Sequence, residues 1–124
     1  MTLVDTSVWI EHFRRPDAWL LRLLAGGAVL GHAFVTGEVA CGGHAPDRSG
    51  RLQLLQELPQ ARVAEPDEVL AFIERHGLAG AGIGYVDAHL LAAAALTPPA
   101  RLWSGDRRLA AAAKRLGLGV QPDG

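Results

Sequence analysis

Short apolar runs alternate with helix-like segments along almost the whole chain, and that alternation leaves few architectures open to it. The runs are Thr2 to Asp5, Ala28 to Leu30, Arg62 to Ala64, Arg101 to Trp103 and Gly119 to Gln121. Strands separated by helices pair in parallel, and the helices then cover the sheet. The predicted fold is therefore α/β, a central and mostly parallel β-sheet flanked by helices on both faces. No repeat, linker or low-complexity tract divides residues 1–124, so a single domain is expected.

The intervening segments carry recognisable helix signals. Ser7 to Phe13 is the first predicted helix, and Asp17 opens a second that stops at Gly26-Gly27. His32 to Cys41 ends at Gly42-Gly43, and Asp47 to Leu58 follows a polar turn. Pro66 suits the first turn of a helix to about His76, where its missing N–H costs nothing. The glycine-rich GLAGAGIG, residues 77–84, reads as a flexible loop before a strongly apolar helix from Tyr85 to Leu96. Asp106 to Leu116 is the last predicted helix.

Composition removes several classes of function. A hydrophobic fraction of 49% with 20% charged residues describes a globular chain. Cys41 is alone, which excludes an internal disulfide framework and any CxxC motif, and fits a reducing compartment. Asp5, Glu11 and His12 interrupt the N-terminal apolar run, arguing against a signal peptide, and Leu90 to Leu96 is too short to span a bilayer. The expectation is a cytoplasmic protein without a membrane partner. A net charge of −1 gives no overall nucleic-acid footprint, although Arg101, Arg107, Arg108, Lys114 and Arg115 cluster against the single acid Asp106. By itself such a cluster is a solvated helix face.

Four acids stand in places that need explaining. Asp5 and Asp106 each follow a strand and precede a helix, where an acid is also a good N-cap. Asp87 shares a stripe with Leu90, Leu91 and Ala94, in a first turn whose dipole favours negative charge. Glu38 lies at helical spacing from Phe34, Val35, Cys41 and Gly42, on a face expected to be buried, where an unpaired carboxylate is costly. Few cations are placed to neutralise them. Clustered carboxylates repel one another and take up protons unless a bound cation favours the charged forms. Oxygen ligands without a Cys or His pattern suit Mg²⁺ or Mn²⁺, ions that polarise phosphoryl oxygens and activate water. Thr6 and Ser7 are expected to hold the start of the first helix.

The stretches LVDTSVWIEHFR, HAFVTGEVACG, GIGYVDAHLLAAAAL and ARLWSGDRRLAAAAKRLGLG, in this order, resemble the PIN-domain ribonucleases, and in particular the VapC toxins of bacterial type II toxin–antitoxin modules. The resemblance covers nearly the whole chain, least so from Ala45 to Gly80. It implies that Asp5, Glu38, Asp87 and Asp106 form the catalytic centre of a metal-dependent endoribonuclease, holding one or two Mg²⁺ or Mn²⁺ ions and directing water onto an RNA phosphodiester. Asp5 would be a direct ligand, Asp87 and Asp106 would complete the pocket, and Glu38 would bind metal or orient water. Thr6 and Ser104 resemble the supporting hydroxyls of the family; Ser104 stands where Thr is frequent, and keeps the oxygen. The resemblance further implies a homodimer and a cognate VapB-type antitoxin, whose tail lies across the active-site groove with a basic side chain against the acids. Arg107 and Arg108, beside Asp106, are candidate contacts to RNA phosphate.

Other residues receive plainer readings. The histidines show no HxH or HExxH spacing and are expected to be surface or satisfied groups, with His89 pointing away from the face of Asp87. Cys41 is expected to be a small buried apolar residue, and Trp9, Trp19 and Trp103 core or interface. Gly80, Gly82 and Gly84 match neither GxGxxG nor a P-loop. Three rival functions remain: a catalytically silent PIN-like binding module, a response-regulator-like signalling domain and a haloacid-dehalogenase-like phosphatase. The second lacks an acid pair beside Asp5 and a middle-strand aspartate, and Lys114, the only lysine, lies within a helix. The third needs DxD where this chain has Asp5-Thr6-Ser7.

Overall fold

Every residue of the first strand, β1 (Thr2–Val4), is buried, and Leu3 and Val4 are fully enclosed. Successive strand residues point to opposite faces, so burial of all of them requires cover on both sides of the sheet. A computed structural model, which describes residues 1–43 and 46–120, shows how that cover is built. After β1 come α1 (Thr6–Arg14), α2 (Ala18–Ala25), β2 (Val29–Leu30), α3 (Ala33–Cys41), α4 (Arg48–Glu57), α5 (Pro66–Arg75), α6 (Tyr85–Ala95), β3 (Arg101–Trp103) and α7 (Arg107–Arg115). The strand order is β2-β1-β3, with both pairings parallel: Thr2 and Leu3 lie beside Val29 and Leu30, and Thr2 to Val4 beside Arg101 to Trp103.

The alternation predicted from sequence is therefore present, but two predicted strands are reduced to single bridges. Arg62 to Ala64 forms no strand. The chain instead meets the sheet edge earlier: Gly31 N–H donates to the Pro59 carbonyl, and Ala61 N–H donates to the Gly31 carbonyl. His32 then starts α3, leaving no extended backbone beside which Arg62 to Ala64 could pair. At the other edge only Gly119 bridges to Leu102, and Gln121 of that predicted strand lies outside the described residues.

Helix α6 is the spine of the core. Ala88 through Ala94 are all buried, which explains why its sequence is apolar all round rather than striped. Leu90, Leu91, Ala93 and Ala94 join the main cluster with Leu3, Val4 and Trp9, whereas Ala88 and Ala92 pack with Ala64 and Val69 of the α5 side. Its neighbours thus lie on two sides, and its length is set by packing rather than by a membrane. No helix among the described residues is long and apolar enough to cross one.

Two local expectations are revised by the packing. The tryptophans are not among them: Trp9 is fully buried, and half-buried Trp103 packs against the core and on Trp19, with ring centroids 4.3 Å apart. Cys41 is exposed, because α3 ends there and turns its last residue outward. His32 and His89 are buried, and among the described residues His32 Nε2 and His89 Nδ1 have no hydrogen-bond partner, so these histidines are neither on the surface nor fully satisfied there. His89 packs its ring against Phe34 and Tyr85, with ring centroids at 4.6 and 4.7 Å.

His32 is the N-cap of α3, its Nδ1 accepting from the Phe34 N–H at 3.0 Å. Burial, helped by the neighbouring His89, pushes its pKa down to about 4 from 6.5. The unfolded imidazole takes up its proton at the higher pH and the folded one only at the lower, so between those values the unfolded state binds more protons. Stability is then full above about pH 6.5 and is lost as the pH falls, by roughly 3 kcal/mol at most from this group. His32→Asn keeps a capping oxygen but does not titrate. Denaturant midpoints measured from pH 7 to pH 4.5 are expected to show the wild type's stability falling relative to His32→Asn; a difference that stays constant across that range would refute the assignment.

Candidate active site

The four acids come from four elements, and folding brings them to one end of the sheet. Asp5 directly follows β1 and is 6% exposed. Asp106 follows β3 and is exposed, Asp87 sits half-buried in the first turn of α6, and Glu38 projects from the middle of α3. Their proximity is registered at Asp87, whose pKa is raised by burial and then by repulsion from Asp5, Asp106 and Glu38, with the Gly84 N–H opposing the shift.

Local chemistry explains how each carboxylate is held. Asp5 is the N-cap of α1, with Oδ1 accepting from Thr6 N–H at 2.7 Å. Its other oxygen, Oδ2, accepts from Ser7 Oγ at 2.9 Å and Ser104 Oγ at 2.6 Å. Asp106 caps α7, with Oδ1 accepting from Arg108 and Leu109 N–H at 2.9 and 3.0 Å. Asp87 Oδ2 accepts from Gly84 N–H at 3.1 Å, tying the acid to the end of the preceding loop. Asp5 and Asp106 thus satisfy the capping reading in full, and three of the acids lie at helix N-termini, whose partial positive charge offsets their repulsion.

Two expectations about this region need correction. Glu38 is exposed rather than buried on an apolar stripe. The α3 face that packs inward is set by Val35, and Glu38 lies far enough round the helix to meet the Thr6 hydroxyl, which donates to its Oε1 at 2.7 Å. Thr6 and Ser7 do not cap α1; Asp5 does, and the hydroxyls turn outward from that helix to join acids and loops.

Ser7 is the site residue that sequence reasoning missed. It donates to Asp5 and accepts from Gly105 N–H at 3.0 Å, so it links α1 to the loop after β3. Its position two residues after Asp5, in a helix's first turn, was the signal available. Ser104 has a matching role: it donates to Asp5 while its Oγ accepts from Asp106 N–H at 2.9 Å. A serine therefore sits between the two strand-end acids.

The candidate phosphate contacts diverge. Arg107 and Arg108 are both exposed in the first turn of α7. Arg108 lies across the loop before α6, and a Cβ on Gly82 would fall 2.6 Å from Arg108 Cδ. With a φ of +78°, Gly82 also has a backbone that side chains disfavour, so glycine here serves both the turn and the close approach.

The donor set is all carboxylate and hydroxyl oxygen, which matches a hard divalent cation. Among the described residues no three Asp, Glu, His or Cys side chains stand close enough together to hold a metal ion between them. The described ion pairs lie elsewhere, Arg14 with Glu11 and Arg62 with Glu68.

The comparisons with known proteins point the same way as the geometry. A family model described as the PIN domain matches residues 2–115. Two curated relatives, each named Ribonuclease VapC32, come from Mycobacterium tuberculosis strains CDC 1551 / Oshkosh and ATCC 25618 / H37Rv. Each is 46% identical over 120 residues, covering 97% of this chain and 96% of the relative.

Removing Ser104 Oγ leaves a buried carboxylate short of a donor, a loss worth about 1–3 kcal/mol. Ser104→Ala is expected to lower the melting temperature by several degrees, and Ser104→Thr to retain most of the stability. Equal melting of Ser104→Ala and wild type would show that the hydroxyl does not hold Asp5.

Proposed function

The chain belongs to the PIN-domain family, in the company of VapC-type ribonucleases, and on that premise we propose that it is a metal-dependent endoribonuclease, the toxin of a VapBC-type toxin–antitoxin system. The observation that supports this most is the gathering of four carboxylates: the pKa of Asp87 is raised by burial and then by Asp5, Asp106 and Glu38, and such a group of acids favours a cation among them. The reaction is hydrolysis of an RNA phosphodiester, with water adding to phosphorus as the bond to the departing oxygen breaks.

In this reading Asp5 is a direct ligand of Mg²⁺ or Mn²⁺, its orientation set by Thr6 N–H, Ser7 and Ser104. Asp87 and Asp106 complete the metal pocket from the starts of α6 and α7, and Glu38 binds metal or orients water from across the cleft. Bound there, the ion would supply Lewis-acid polarisation of a phosphoryl oxygen and lower the pKa of its water. Thr6 restrains Glu38, and Ser104 keeps Asp5 in register with the backbone of Asp106. Arg107 and Arg108 receive phosphates that flank the scissile bond. The partners are an RNA substrate, a VapB-type antitoxin and a second copy of the chain, and the setting is the cytoplasm.

Expression without antitoxin is expected to arrest growth for the wild type but not for Asp5→Asn. Purified wild type should cleave RNA only with Mg²⁺ or Mn²⁺, chelator should abolish cleavage, and Asp5→Asn should lose at least about a hundredfold. Cleavage that survives chelation would overturn the metal mechanism. A folded wild type that neither cleaves RNA nor slows growth would indicate a PIN-like binding module instead.

A further inference from the structure

Next to the acidic centre the molecule carries a concavity of the opposite charge. Arg107, Ala110, Ala111 and Lys114 recur at intervals of three and four, so they form one stripe of α7. This stripe and Arg101 of β3 line a cleft of about 550 Å³, whose nearest point to the acids is Ser104. Among the described residues that line it three are cations and none is an acid. Arg101 is anchored, donating to the Gly117 carbonyl, so its guanidinium is a fixed part of the wall. Between the cations the floor is alanine, which lets a chain lie close to the helix.

Ser104 is what makes this cleft more than a solvated basic face. Its Oγ contacts both Asp5 and the backbone of Asp106, so a residue that lines the cleft is one hydrogen bond away from two of the proposed catalytic acids. A phosphodiester among the acids drags neighbouring phosphates with it, and those need positive charge close by. We propose that the cleft between α7 and β3 is the track for the RNA strand flanking the scissile bond, with its phosphates carried by Arg107, Lys114 and Arg101. This rests on the endoribonuclease reading above. Among the described residues the lining has no aromatic side chain on which a base could stack, so it recognises a charged backbone and not a base sequence. Arg101 and Lys114 thereby join Arg107 as substrate-positioning residues, while Arg108, folded over Gly82, belongs to the other side of α7's start.

The test compares the full-length wild type, Arg107→Ala/Lys114→Ala and Arg115→Ala on single-stranded RNA over a range of salt concentrations. Arg115 is an exposed cation of the same helix that does not line the cleft. For the double variant KM should rise tenfold or more with kcat little changed, and the dependence of log KM on log salt should be shallower by about 1.4, or 0.7 for each of two phosphates. Arg115→Ala should match the wild type. An unchanged KM and salt slope in a folded double variant would overturn the proposal, and so would an equal effect of Arg115→Ala, which would mean diffuse charge. If the wild type does not cleave RNA at all, the endoribonuclease reading fails, and equilibrium binding of the same RNA then decides the cleft separately. A tenfold weaker Kd for the double variant supports the track, and equal binding refutes it. An acidic peptide whose binding is lost in the double variant while RNA binding is kept would assign the cleft to protein and overturn the RNA assignment.

Discussion

A buried carboxylate at the end of the central strand has to be surrounded by donors, and much of this site follows from that requirement. Asp5 is almost fully enclosed, and its oxygens accept from one backbone N–H and two serine hydroxyls. Those donors come from α1 and from the loop after β3, so satisfying one charge fixes the relative position of two elements. Ser7 and Ser104 pass the connection on to Gly105 and Asp106. The same hydrogen bonds that stabilise the fold therefore set the spacing of the acids.

Capping and catalysis are not competing explanations here. A helix that begins at the carboxyl end of a strand favours an acid as its N-cap, because the first N–H groups lack partners. In a parallel sheet those helix starts lie at one edge, and their caps are brought together. Asp5 and Asp106 obey the local rule and in doing so come to share Ser104, with Asp87 standing in the first turn of α6. The helix dipoles supply part of the positive charge that the cluster needs, while burial and then the charges of Asp5, Asp106 and Glu38 hold the pKa of Asp87 above its ordinary value.

The parts of the fold and site that were legible in the sequence are those governed by short-range rules. Asp17, Asp106 and the glycine pairs marked helix ends because capping and termination depend on a few neighbouring residues. The predicted strands at Thr2 and Arg101 held because their apolar runs pair with each other, β1 in the middle of the sheet and β3 beside it. Arg62 to Ala64 had the same local character but met no free strand edge, and so remained irregular. Glu38 illustrates the opposite error. A helical stripe identifies a face, but whether that face is covered depends on what packs against it, and α3 leaves Glu38 outside to meet Thr6.

By itself the sequence determined the α/β alternation, the identity of the four acids and the caps that hold two of them. These depend on periodicity and on contacts spanning a few residues. Only the tertiary structure decided that Ser104 and Ser7 would share one oxygen of Asp5, and that Arg107 and Arg108 would part to opposite sides. It likewise decided that Arg101 would face Lys114 across a cleft. Ser104 lies 99 residues from Asp5, and no local propensity carries information over such a distance. Parallel pairing of β1 with β3 brings them together, because the backbone ladder places the residues that follow each strand side by side.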